Sequence, residues 1–269
     1  MTPRLLPQRR ALVLSGAVLV LFLALPLVAL LLSTSLTDFR DGLQHPLVWP
    51  ALRLSLFTTL CSLVLVVGFG TPLSWTLSQA RGRWARAVET AVQLPIVIPP
   101  AVAGIALLLA FGRRGAFSGW LYPQGHSLTF TTAAVVIAEV FVSAPFFVQA
   151  ATSAFRRIDP ELLIVARSFG ATPWRVFLRV ALPLAAPGVV AGAAMSWARS
   201  LGEFGATLMF AGNLQGETQT LPLAIYTALE SDLRAAQALS VVLMGVAFTL
   251  LLVVRAALRR ATVEHGVTS

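Results

Sequence analysis

Three ionisable residues stand deep inside the long apolar runs of this sequence: Glu139, Arg199 and Glu203. Arg199 and Glu203 are four apart, hence neighbours on one face of a helix. Glu139 belongs to an earlier run of opposite direction, and counting from the run ends sets it at a depth between the two. A charge at the centre of a bilayer costs on the order of 2.5 to 3.5 kcal/mol on insertion scales, so all three should face a bundle interior and find partners. Two chemistries are open, a buried ionic lock between helices or the border of a polar pathway. Two carboxylates and one arginine sum to one negative charge, a poor match to a tight anion site, which favours the lock. Exchanging Arg199 and Glu203 together should then be milder than changing either alone. A third chemistry is acid–base catalysis by Glu139, Glu203 and His126. It lacks a nucleophile or a metal cluster, since the three histidines are scattered and no HExxH is present.

The elements that must hold these groups follow from composition. The chain has 269 residues, a mean hydropathy of +0.81 and only 12% charged residues, so several membrane spans are expected. The net charge of +9 is carried by arginine alone, as there is no lysine. These arginines lie between apolar runs, where they set membrane orientation rather than bind nucleic acid. The single cysteine, Cys61, sits in an apolar run and excludes a disulfide or a cysteine metal site within one chain. No GxxxxGK[ST] phosphate loop occurs, so any ATP used must be bound by another chain.

Six apolar runs are legible, giving an all-α integral membrane protein. The first covers about 11–32 after Arg4, Arg9 and Arg10, and its length indicates a retained span rather than a signal peptide. A polar loop fills 33–50. The second span covers about 52–77 with Pro72 as a kink. The third, about 88–111, holds Pro95, Pro99 and Pro100 and cannot be one regular helix. Broken backbone at membrane depth survives only against protein or a water-filled cavity, so these prolines mark either packing or a pathway wall. A loop at 112–127 carries Arg113, Arg114, Tyr122 and His126. The remaining spans cover about 130–152, 188–210 and 236–254. With both termini inside, fourteen arginines lie on the inner side against four outside. The expected division is a tail, first span and outer loop over 1–50, one membrane domain over 51–255, and a cytoplasmic tail over 256–269.

Between the fourth and fifth spans, Arg167, Arg175 and Arg179 interleave with Leu162, Leu163, Phe169, Trp174 and Phe177. Such a basic, aromatic segment either anchors at the lipid interface or docks a soluble partner. Gly170 suits a turn, and Pro173 suits the first turn of a following helix. Gly188, Gly192, Ser196 and Ser200 then repeat at four-residue spacing, a stripe that allows close helix approach.

This segment resembles the cytoplasmic loop of binding-protein-dependent ABC importer permeases, whose motif reads E-A-A, three residues, Gly, nine residues, I-x-L-P. Here Gly170 is followed by nine residues and then Val180, Ala181, Leu182 and Pro183. Ala166 matches, Ile164 and Val165 replace the Glu and first Ala, and Glu161 lies three residues early. Ser200 to Thr207 with Gly212 and Asn213, Leu94 to Pro100, and Gly112 to Gly115 look most like the molybdate branch; sulfate and tungstate permeases are similar. The resemblance implies a type I permease fold of six spans. It implies a homodimer around one pathway, two ATPase subunits carrying ATP and Mg2+, and a periplasmic or lipid-anchored oxyanion-binding protein. No metal, cofactor or catalytic residue is implied for this chain. It assigns coupling to Glu161, Ala166, Gly170, Pro173, Trp174, Arg175, Leu182 and Pro183. Pathway or lock residues are Pro95, Pro99, Pro100, Glu139, Arg199, Ser200, Glu203, Thr207 and Asn213. The competing readings are a sulfate, thiosulfate or tungstate permease, a membrane anchor or sensor, and an intramembrane enzyme.

Overall fold

The computed structural model describes residues 5–121 and 127–266, and these are helical with no strand among them. Helix α1 (Leu5–Ser33) includes an apolar stretch of 22 residues from Leu12, about 33 Å of helix. It buries none of that stretch in the chain. The expected polar loop after it contains a short helix instead, α2 (Leu36–Leu43), started by Ser35, whose Oγ accepts the Asp38 amide at 3.0 Å. Helix α3 (Val48–Gln79) crosses in 32 residues with Pro72 inside it.

The third span is interrupted as its prolines predict. Helix α4 (Arg83–Val97) and α5 (Pro100–Phe111) are bent by 116° around Ile98 and Pro99. Glu89 on α4 pairs with the far end of the next long helix, while Ala103 and Leu107 on α5 pack with its beginning. The pair therefore runs as one broken span. After the short α6 (Ser118–Leu121) comes that helix, α7 (Thr132–Arg156), which is half buried along its span and forms the centre of the bundle. Its Pro145 is accommodated within the helix.

Helix α8 (Pro160–Ser168) lies between α7 and the fifth span. The fifth span starts earlier and ends earlier than the apolar run suggests. It begins with α9 (Pro173–Val176), passes a π-helical turn at Phe177–Ala181, and continues as α10 (Leu182–Leu201). Pro183 has no amide hydrogen to offer the Arg179 carbonyl, which is a local reason for the widened turn. The expected span to residue 210 is broken at Gly202, and α11 (Gly205–Ala211) follows as a separate short helix. The expected polar loop to Ala235 contains α12 (Leu221–Ser231), whose first amide donates to Ser55 Oγ of α3 at 2.7 Å. Helix α13 (Leu233–Gly266) completes six candidate spans among the described residues, counting the bent pair as one.

Helices α3, α7 and α10 approach closely because small residues line their contacts. A Cβ on Gly192 would lie 3.0 Å from Ala150 Cβ, and one on Gly70 would lie 2.7 Å from the Phe147 ring. The glycine stripe of α10 thus serves packing within one chain.

Candidate functional site

The two interruptions of the bundle meet. Gly205 opens α11 directly against Pro100 at the start of α5, where an added Cβ would lie 3.0 Å from Pro100 Cβ and 3.2 Å from the Ala101 nitrogen. One turn on, Gly104 faces Ala206, whose carbonyl oxygen would be 2.8 Å from an added Cβ. Pro99 and Pro100 form the start of α5, and Pro95 lies inside α4 near its end. The second break is partly covered, with Leu201 and Glu203 buried, whereas at the first break Pro99 and Pro100 stay exposed and Ile98 is half-buried within this chain.

Glu203 sits in the second break and is buried. Its Oε2 pairs with Arg199 Nη2 at 2.7 Å, as the four-residue spacing predicts. Its Oε1 accepts the Ala206 amide at 2.7 Å, so the same carboxylate also starts α11. The expected lock between helices is thus a local pair across the end of α10. Glu139 does not join it. Its Oε1 accepts Thr58 Oγ1 of α3 at 2.8 Å, and Oε2 has no partner among the described residues.

Around them side-chain hydrogen bonds tie α3 to α7 and to α10. Ser200 is buried and donates to the Trp197 carbonyl at 2.9 Å. Trp197 Nε1 donates to Thr59 Oγ1 at 3.1 Å, linking α10 to α3. Ser143, Ser196 and Thr207 are buried with hydroxyls lacking a partner among the described residues. Asn213 lies further along and donates to Thr227 Oγ1 of α12 at 2.9 Å. Among the described residues, no three His, Cys, Asp or Glu side chains gather as metal ligands.

Thr58, Thr59 and Trp197 were missed in the sequence. A signal was available, because Ser55, Thr58, Thr59 and Ser62 recur three and four apart on one face of an otherwise apolar run. His126 and Tyr122 lie outside the described residues.

At the other end of the bundle, α8 is capped by Asp159, whose Oδ1 accepts the Glu161 amide at 2.9 Å. Leu163 is buried, whereas Leu162, Ile164, Val165 and Phe169 are exposed, so α8 presents an apolar face away from its own chain. Ala166 and Gly170 close the helix: the Gly170 amide donates to Arg167 O at 2.9 Å and that of Ala171 to Ala166 O at 3.2 Å. Gly170 has φ +80°, which favours glycine. Pro173, Trp174 and Arg175 belong to the next helix, with Thr172 Oγ1 accepting the Arg175 amide. Trp174 stacks on Phe177 at 5.5 Å, and Phe177 meets Trp75 and Phe155, which joins this corner to α3 and α7. Leu182 and Pro183 fall just beyond the π-helical turn.

A six-span helical bundle with an apolar surface helix at one end and two broken spans meeting inside it is the architecture of an importer permease. The chain belongs to the family of binding-protein-dependent transport system inner membrane components, whose model matches residues 67–263. It is a multi-pass membrane protein and a transport component rather than an enzyme. It is 46% identical over 228 residues to the molybdenum transport system permease protein ModB of Mycobacterium tuberculosis, covering 85% of this chain and 86% of the relative. The ModB of Escherichia coli K12 is 38% identical, covering 68% of this chain and 80% of the relative. A probable transport system permease protein, NifC of Clostridium pasteurianum, is 40% identical over 77% and 72% of the two chains. Among solved structures, a bacterial alginate ABC transporter in complex with its alginate pentasaccharide-bound periplasmic protein shares the fold. It has a TM-score of 0.73 and 18% identity, covering 95% of this chain and 96% of that one.

Proposed function

We propose that this chain is the membrane-spanning subunit of an ATP-driven molybdate importer. The observation that carries the reading is the 46% identity, over 85% of the chain, to a permease named for molybdenum transport. The geometry supports a division of labour. The exposed apolar face of α8 and the turn at Gly170 receive a separate ATPase, which binds ATP and Mg2+. The opposite end meets an oxyanion-binding protein. Two copies of this chain flank one pathway, with two ATPases beneath them. The arginine distribution supports a cytoplasmic location for both termini and for α8.

In this mechanism the chain contributes a gate rather than a tight site. ATP-driven closure of the ATPases moves α8, and the aromatic corner at Trp75, Phe155 and Phe177 passes that movement to α3, α7 and α10. Pro95, Pro99 and Pro100, together with the break around Glu203, give the spans places to bend. Glu139, Arg199, Ser200, Thr207 and Asn213 border the passage. The carboxylates there disfavour prolonged anion binding, so selectivity resides mainly in the binding protein.

Uptake of labelled molybdate by cells with and without the gene, with and without excess sulfate, tests the assignment. Gene-dependent uptake that sulfate barely reduces is the expected result. Full competition by sulfate overturns the substrate, and gene-independent uptake by cells lacking other molybdate carriers overturns the transport role.

A further inference from the structure

A second polar feature lies away from the breaks, at the end of the bundle that carries α8. There α3, α4 and α7 enclose a cleft of about 160 Å³. Its polar wall is Glu89 and Gln93 on α4, and Gln149, Thr152, Ser153 and Arg156 on α7. Spacings of four on α4, and of three, four and seven on α7, set each group on one helical stripe. Together they offer a guanidinium, two carboxamides, two hydroxyls and one carboxylate. Thr152 belongs to this lining, and its Oγ1 is buried without a partner among the described residues.

The one carboxylate of the wall, Glu89, is ion-paired to Arg156, and Arg156 also donates to the Leu77 carbonyl of α3 at 3.3 Å. Glu89 thereby takes the place on Arg156 that an incoming oxyanion would seek, since guanidinium binds both through the same fork of N–H donors. Glu89 rides on α4, one half of the broken span, whereas Arg156 stands at the end of the central helix. Movement of α4 against α7 therefore opens or closes the seat on Arg156.

We propose that this cleft is an exit subsite for the transported tetrahedral oxyanion. Arg156, Gln93, Gln149, Thr152 and Ser153 hold the anion, and Glu89 competes with it for Arg156. The inference rests on the oxyanion-importer reading above. With Glu89 seated, the charges of the wall cancel, and an anion must displace a carboxylate to bind. Its departure restores the ion pair, so the site favours release. A phospholipid headgroup phosphate has the same chemistry, and the test separates the two sources.

The experiment measures labelled molybdate bound to the purified permease–ATPase complex in detergent, without binding protein, by equilibrium dialysis. The wild type should bind weakly. Glu89→Gln, nearly isosteric, should bind at least ten-fold tighter because it frees Arg156. Adding Arg156→Gln should remove that gain, and adding Thr152→Val to Glu89→Gln should reduce it several-fold. Co-purification of the ATPase and a single elution peak show that each variant is folded. Binding of both molybdate and labelled sulfate unchanged in folded Glu89→Gln overturns the proposal, as does a gain that survives Arg156→Gln. In lipid nanodiscs, molybdate retained by Glu89→Gln in both phosphatidylcholine and phosphatidylglycerol supports the exit subsite. Loss in phosphatidylglycerol, or in both lipids, assigns the cleft to lipid and overturns it. Gene-dependent molybdate uptake alongside a cleft that never binds removes only the subsite. A cleft that binds sulfate but not molybdate keeps the subsite and removes the substrate assignment.

Discussion

Gly170 offers a sharp test of how the chain receives its ATPase. Its φ of +80° belongs to the left-handed region, and a Cβ added there would meet nothing within 4 Å. A side chain at this position therefore leaves the packing of the chain intact. Its cost is conformational, roughly 1–2 kcal/mol for an L-residue held left-handed. If docking needs this turn, that cost lowers ATPase affinity by about five- to thirty-fold. Gly170→Asn should be mildest because asparagine tolerates the left-handed region, Gly170→Ala should show the full conformational loss, and Gly170→Asp adds a charge and should abolish association. The assay is co-purification of the ATPase from membranes, with permease level as the control for folding and insertion. Normal permease level with graded loss of ATPase is the expected result. A Gly170→Asp complex that retains its ATPase at the wild-type ratio, and hydrolyses ATP at the wild-type rate, would refute docking at this turn.

Two further outcomes follow from the breaks and the small-residue contacts. The exchange Arg199→Glu with Glu203→Arg should be no milder than either single change, because arginine at 203 cannot accept the Ala206 amide that Glu203 Oε1 now holds at 2.7 Å. Either single change should cost about 3–5 kcal/mol, read as a lower Tm of the detergent-purified complex; recovery by the exchange would restore the simple lock. Gly192→Val should cost about 1–3 kcal/mol by overpacking against Ala150, whereas Gly16→Val, in open space on α1, should leave the Tm unchanged. Equal melting of the two variants would contradict the close approach of α7 and α10.

The parts of this architecture governed by short-range rules were readable in the amino acids. Runs of apolar residues marked the spans, the prolines at 95, 99 and 100 marked the first break, and four-residue spacing brought Arg199 to Glu203. The second break was hidden because its surroundings are as apolar as a continuous span. Gly202 and Gly205, flanking a charge, were the only local hint. Helix α12 escaped notice because its 11 residues are too few to cross a bilayer and polar residues precede it. Glu139 found Thr58, 81 residues away, through the packing of α7 on α3, and no spacing along the chain encodes such a meeting. The cleft at Glu89 and Arg156 likewise required α4 and α7 to be placed side by side.

The meeting of Gly205 with Pro100 and Ala101 also constrains how this chain can change through descent. A methyl group at 205 would sit 3.0 Å from Pro100 Cβ and 3.2 Å from the Ala101 nitrogen, so its neighbours would have to give by a few tenths of an ångström. A lineage that enlarges residue 205 must first shift the start of α5, and one that rebuilds the proline pair inherits a new limit at 205. Positions 100 and 205, separated by more than a hundred residues, should therefore record linked substitutions, a signature that aligned relatives would display without any measurement of transport.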